Sequence, residues 1–259
     1  MRKIAGSLGL VVVLTACGGS VSPSTGSVAA PATPTPTPTP TSAAPSAPTP
    51  TPQITGPNVS GCFTEKDGKI FSHGADDLPG VITGRGEVGV VITYERNGNV
   101  CTWRPLSDRL VAAGYRVLLY ARDSTKPPED VTVAMAKRLA KEKGVKRLFF
   151  VGGSIAATTA PLAAEKFGGR TAGIVALSGA IDPADAARIT VPLLQIGTEH
   201  DGYGGAEDLQ PAHDAATKAP ANELLIVKGE STHASELFRT PHAAEALDRI
   251  LTFMDRHKG

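Results

Sequence analysis

The chain predicts an α/β fold in which a mostly parallel sheet is flanked by helices on both faces. Three observations carry that expectation. From about residue 59 onward, short apolar runs alternate with stretches of helical periodicity. Runs such as Val90-Val91-Ile92 and Leu148-Phe149-Phe150-Val151 are apolar throughout, the pattern of strands covered on both sides. The segments between them are long enough for the crossover helices that parallel strands require.

Taken in order, residues 63–66 and 78–83 are expected to open the sheet as an antiparallel pair around turn residues. Residues 88–94 form a buried strand, 106–113 a short amphipathic helix ended by Gly114, and 115–120 the next strand. Residues 130–143 follow as a helix, with apolar Val131, Ala134 and Leu139 and with Gly144 as terminator. Strand 147–151 leads directly into helix 155–167, stopped by Gly168-Gly169. Strands at 172–177, 193–196 and 224–227 and helices at 206–218 and 243–255 complete the domain. Sites in such sheets lie beyond the carboxyl ends of the strands.

The N-terminal part is of another kind. Arg2 and Lys3 precede an apolar stretch at 8–14, too short to span a bilayer core of ~30 Å. Leu14-Thr15-Ala16-Cys17 has the form of a lipobox, so residues 1–16 read as a lipoprotein signal peptide and Cys17 as the lipidated mature N-terminus. A plain secretory signal with an incidental cysteine is the simpler alternative. The implied partner is a membrane, and the implied location is extracytoplasmic, anchored to the bacterial cell envelope. Residues 17–58 are Ser, Thr, Ala, Gly and Pro, with a Thr-Pro repeat at 33–40, a disordered tether that favours extended polyproline II. Residues 59–259 are the folded domain, of a length that suits one core.

With 26 Lys and Arg against 25 Asp and Glu and no basic stripe, nucleic acid is not an expected partner. Once Cys17 is assigned to lipid, Cys62 and Cys101 remain as an even pair for an oxidising compartment. A disulfide between them is open, because the sequence does not place their Cα atoms. Their spacing is not that of a zinc site, and no metal is expected.

The chemistry concentrates at three strand ends. Ser154 stands in Gly152-Gly153-Ser154-Ile155-Ala156, on a tight turn between a strand and a helix, where its hydroxyl is exposed to a base. The bland alternative is a helix N-cap. Asp201 leaves the strand at 193–196 on a loop from which a carboxylate can orient an imidazole, with Glu199 as rival. His233 follows the last strand and is the expected general base. His73 in an early loop, His200 beside Asp201, His213 and His242 in helices, and His257 at the chain end fit that role poorly. Backbone N–H groups of Ile155 and of Glu95 or Arg96 are the expected oxyanion donors.

On these residues the chain resembles the α/β-hydrolase superfamily, and within it small bacterial secreted or lipoprotein serine hydrolases. Val90 to Tyr94, Leu110 to Leu118, the Gly152–Ala156 elbow, Asp201 and Ser231-Thr232-His233 carry the likeness. The last elbow residue is Ala156 where glycine is usual, and Tyr94-Glu95-Arg96 replaces a usual His-Gly pair. The resemblance implies esterase chemistry through an acyl-enzyme on Ser154, with Asp201, His233 and no cofactor. The short 178–192 segment implies a minimal or absent cap, hence an open site for small or accessible esters. A catalytically inactive surface binding module, or a thioesterase or peptidase of the same fold, are the alternatives.

Overall fold

The computed structural model describes residues 61–96 and 98–259. The expectations for the signal peptide, Cys17 and the tether fall outside the described residues.

Along the chain come β1 (Gly68–His73), β2 (Leu78–Thr83) and β3 (Val88–Thr93), then a 3₁₀ turn (Val100–Trp103) that runs into α1 (Arg104–Ala112). β4 (Arg116–Tyr120), α2 (Pro128–Leu139), β5 (Arg147–Gly153) and α3 (Ile155–Phe167) follow. β6 (Thr171–Leu177), α4 (Pro183–Ala186), β7 (Leu193–Thr198), α5 (Ala206–Ala215) and β8 (Asn222–Val227) lead to a second 3₁₀ turn (Ala234–Arg239) and to α6 (Ala243–His257). Among the described residues eight strands form one sheet in the order β1-β2-β4-β3-β5-β6-β7-β8. β1 and β2, and β2 and β4, pair antiparallel; every other pair is parallel.

The continuous apolar runs are explained by two cores. Phe149, Val151, Val90 and Ile92 face α1 and α6, where they meet Leu106, Leu110, Ile250 and Phe253. Their neighbours Leu148, Phe150 and Val91 point the other way, onto Val131, Met135 and Leu139 of α2 and the alanines of α3. Each large side chain buried in this way stabilises the fold by roughly 1.5–3 kcal/mol. The β6–β7 connection carries α4 alone, so no cap covers the strand ends from there.

Three local expectations need correction. The opening strand is β1, not residues 63–66. Thr64 and Asp67 close a turn through their backbone and the Asp67 carboxylate, with 2.8 Å from Thr64 N to Oδ2. Phe63 instead plugs the core under the Arg104 guanidinium. His73 ends β1, its Nε2 2.8 Å from the Ala121 carbonyl, and is not in a loop. The helix expected at 130–143 begins at Pro128 and ends at Leu139, because residues after it wind on through i to i+3 bonds toward Gly144.

Cys62 and Cys101 form a disulfide, with Cα atoms 5.6 Å apart. It ties the segment before β1 to the 3₁₀ turn after β3. Among the described residues no helix is long and apolar enough to cross a membrane.

Candidate active site

β5 and α3 meet at Ser154, whose backbone has φ 54° and ψ −121°. That is the left-handed side of conformational space, uncommon for any residue other than glycine. Ser154 is the N-cap of α3 by position, its carbonyl accepting the Ala157 and Thr158 N–H groups, but its side chain makes no capping bond. Small neighbours are demanded here. A Cβ on Gly152 would lie 2.5 Å from the Ala156 backbone, and one on Gly153 2.7 Å from the Trp103 ring. Alanine at 156 is compatible with this packing, since it is Gly152 that meets the first turn of the helix. The Ser154 N–H donates to the Leu177 carbonyl at 2.8 Å, which fixes the elbow to β6.

Asp201 leaves β7 on a glycine-rich loop and is buried. Its Oδ2 lies 2.8 Å from His233 Nδ1, and its Oδ1 accepts the Tyr203 N–H at 3.0 Å. One carboxylate oxygen thus faces the imidazole while the other holds its own loop. Tyr203 is 84% exposed and stands edge-on to the His233 ring, with centroids 6.4 Å apart. The rival acid Glu199 is spent elsewhere, on Lys228 Nζ and the Gly229 N–H, both at 2.9 Å. Those partners, Lys228 foremost, hold its carboxyl below the ordinary value. Among the six histidines only His233 meets a buried carboxylate; His213 meets Asn222, His242 the exposed Glu245 and His73 a carbonyl.

The histidine loop is held on both sides of His233. Thr198 Oγ1 at the end of β7 donates to the Thr232 carbonyl at 2.8 Å. The Ala234 N–H donates to Ser178 Oγ at the end of β6, at 2.9 Å. A Cβ on Gly153 would be 3.1 Å from that of Ala234, so the residues next to Ser154 and next to His233 are in contact. Asp201 and His233 are joined, and Ser154 Oγ makes no hydrogen bond to a described residue. Of the four non-glycine residues with positive φ among the described residues, three lie here: Ser154, Ser178 (50°) and Ala234 (48°). Such clustering marks functional sites.

Ile155 opens α3, so its N–H has no partner within the helix. Glu95 and Arg96 lie in the turn leaving β3, closed by Gly98 N–H to the Glu95 carbonyl at 3.1 Å. Arg96 is exposed, whereas the Glu95 side chain is buried. Its Oε2 accepts Trp103 Nε1–H at 2.8 Å and its Oε1 accepts the Ser235 hydroxyl. Sequence reasoning considered only the backbone of Glu95 and overlooked Trp103, Ser178, Thr198 and Ser235. The strand-end rule that selected Ser154 also selects Ser178 and Thr198. Two surface cavities, of about 270 Å³ beside α3 and α4 and about 550 Å³ beside β1 and β2, include none of these residues. Among the described residues no group of His, Cys, Asp and Glu is arranged to hold a metal ion.

No protein-family model matches the chain, and no curated protein does. Solved structures do. An esterase of Pyrococcus furiosus is similar with a TM-score of 0.65 at 19% identity, over 79% of this chain and 100% of the esterase. A monoacylglycerol lipase of Paleococcus ferrophilus gives 0.60 at 16%, over 70% of this chain and 99% of the lipase. A bromoperoxidase of Bacillus anthracis gives 0.57 at 13%, over 72% and 99%. The domain therefore has the α/β-hydrolase fold.

Proposed function

We propose that the domain is a serine hydrolase that cleaves small or accessible acyl esters through an acyl-enzyme on Ser154, held outside the cytoplasmic membrane by lipid on Cys17. The observation that carries this reading is the Asp201–His233 bond, together with a serine displayed on a strained elbow at the end of β5. The esterase and the lipase of the same fold support it as analogues.

As Ser154 Oγ attacks the acyl carbonyl, its proton passes to His233 Nε2 and the carbonyl electron pair moves onto oxygen. The N–H of Ile155 and one from the turn after β3, Glu95 or Arg96, would receive that oxyanion. Its collapse breaks the bond to the alkoxy oxygen, and the alcohol departs with the proton from His233. Water then gives a proton to His233 and attacks the acyl-enzyme, and Ser154 leaves with that proton as the acid is released. Asp201 keeps Nδ1 protonated, so that Nε2 is the basic nitrogen. The serine–histidine bond forms on substrate binding, as catalytic bonds often tighten only in the complex.

A fluorophosphonate probe and a panel of short acyl esters test the reading. Wild type is expected to be labelled and to hydrolyse the esters, and Ser154→Ala to do neither while keeping its melting temperature. Ester turnover that survives in Ser154→Ala removes Ser154 from the mechanism. The second reading, a surface binding module, draws on the charged Glu95-Arg96 turn and on the unbonded serine hydroxyl; it requires that wild type stay unlabelled. A matching thioester and peptide panel separates the acyl classes.

A further inference from the structure

The side chain of Glu95 is used by no step above, yet much of the site is built around it. It is 8% exposed. Two neutral donors hold it, the indole of Trp103 and the hydroxyl of Ser235, and no ion pair among the described residues neutralises it. Burying a carboxyl group without a cation is a poor structural solution, and an apolar residue of similar size would stabilise the fold more. Its surroundings are cut to fit. A Cβ on Gly98 would lie 2.6 Å from the Glu95 carboxyl carbon, and one on Gly153 3.0 Å from Oε2.

Glu95 and two of its neighbours belong to the three pieces that must stay in register. Glu95 follows β3, in the turn expected to supply an oxyanion donor. Gly153 precedes the nucleophile. Ser235 lies two residues after His233 and 140 positions from Glu95 along the chain. Trp103 closes the frame from the 3₁₀ turn and packs edge-on against Phe238 of the histidine loop, with centroids 5.6 Å apart.

We infer that Glu95 is a positioning residue: its paired hydrogen bonds to Trp103 and Ser235 hold the histidine loop and the turn after β3 against the serine elbow, and so set His233 relative to Ser154. The inference rests on the proposed serine hydrolase for its kinetic reading. Glu95→Ala is expected to lower kcat by ~10²-fold with KM nearly unchanged, the scale of a misplacement of about 1 Å. Glu95→Gln keeps an acceptor for the Trp103 indole and turns the second bond round, its amide N–H donating to Ser235 Oγ, and is expected to recover to within about fivefold of wild type. Ser235→Ala should resemble Glu95→Ala, and the double variant should be no worse than either, as for residues acting as one unit.

A second readout needs no turnover. The imidazole Nδ1–H proton of His233, identified as the low-field resonance lost in Asp201→Asn, is followed by NMR in each folded variant. Its displacement or broadening in Glu95→Ala, with the wild-type position kept in Glu95→Gln, supports the inference. An unchanged resonance in Glu95→Ala overturns it, as does a kcat unchanged in that variant or unrecovered in Glu95→Gln. Should wild type prove unable to hydrolyse any ester, the hydrolase reading fails and the resonance alone decides for or against Glu95.

Discussion

Ser178 shows how much a single hydroxyl can carry. It directly follows β6 at φ 50°, and its Oγ is the acceptor for the N–H of Ala234, itself at φ 48°. Replacing it with alanine leaves a buried N–H without its partner, which costs about 1–3 kcal/mol. It also frees the residue that follows His233. Ser178→Ala is therefore expected to lower the melting temperature and to reduce ester turnover by roughly tenfold, much of it in kcat. Steady-state kinetics beside a thermal melt read both effects; a melt that drops while kcat holds would assign Ser178 to folding alone. Glu199→Gln is the matched control, because that carboxylate serves Lys228 and Gly229 and not His233.

At the scale of elements, the segment before β1 is pinned at two points. The Cys62–Cys101 disulfide closes a separation of 39 residues, and chain entropy alone gives such a link roughly 3–4 kcal/mol. Reduction is expected to lower the melting temperature, read by scanning with and without a thiol reductant; equal melts would show that the bond adds nothing. The second pin is Arg104, at the start of α1, whose guanidinium lies 2.6 Å from Asp67 Oδ1 and also reaches the Cys62 carbonyl. Burial pushes the Asp67 carboxyl up, but the bonds from Arg104 and Thr64 outweigh it and leave it lowered. Its contribution is thus present above the ordinary carboxylate value of 3.8 and lost as pH falls through the lower folded value. Asp67→Asn should melt below wild type at pH 7, and the gap should narrow as pH falls below the ordinary carboxylate value and through the lower folded one. These pins were only partly legible in the sequence. β5 and β6, apolar on both faces, announced themselves, whereas β1 (Gly-Lys-Ile-Phe-Ser-His) is an edge strand with little apolar signal, and the two 3₁₀ turns are too short to show a period.

For the whole molecule, the parallel sheet brings three distant loops to one edge, and this is why strand ends alone pointed to Ser154, Asp201 and His233 as candidates. What joins Glu95 to Ser235, or Ser178 to Ala234, is contact across 140 and 56 positions, which no local pattern records. The β6–β7 connection holds one four-residue helix, so nothing there must open before a substrate enters. Hydrolysis of a short-chain ester is accordingly expected to rise smoothly with concentration through the onset of micelles; an abrupt increase there would point to a surface-triggered opening. The three left-handed backbones at this edge have a further consequence. Each is a spring wound by folding, and glycine would let it relax. Ala234→Gly should gain up to ~1 kcal/mol of stability from released strain, offset in part by the freer unfolded chain, while the slackened loop lowers turnover. Thermal endurance and catalytic speed would then trade against each other at one methyl group.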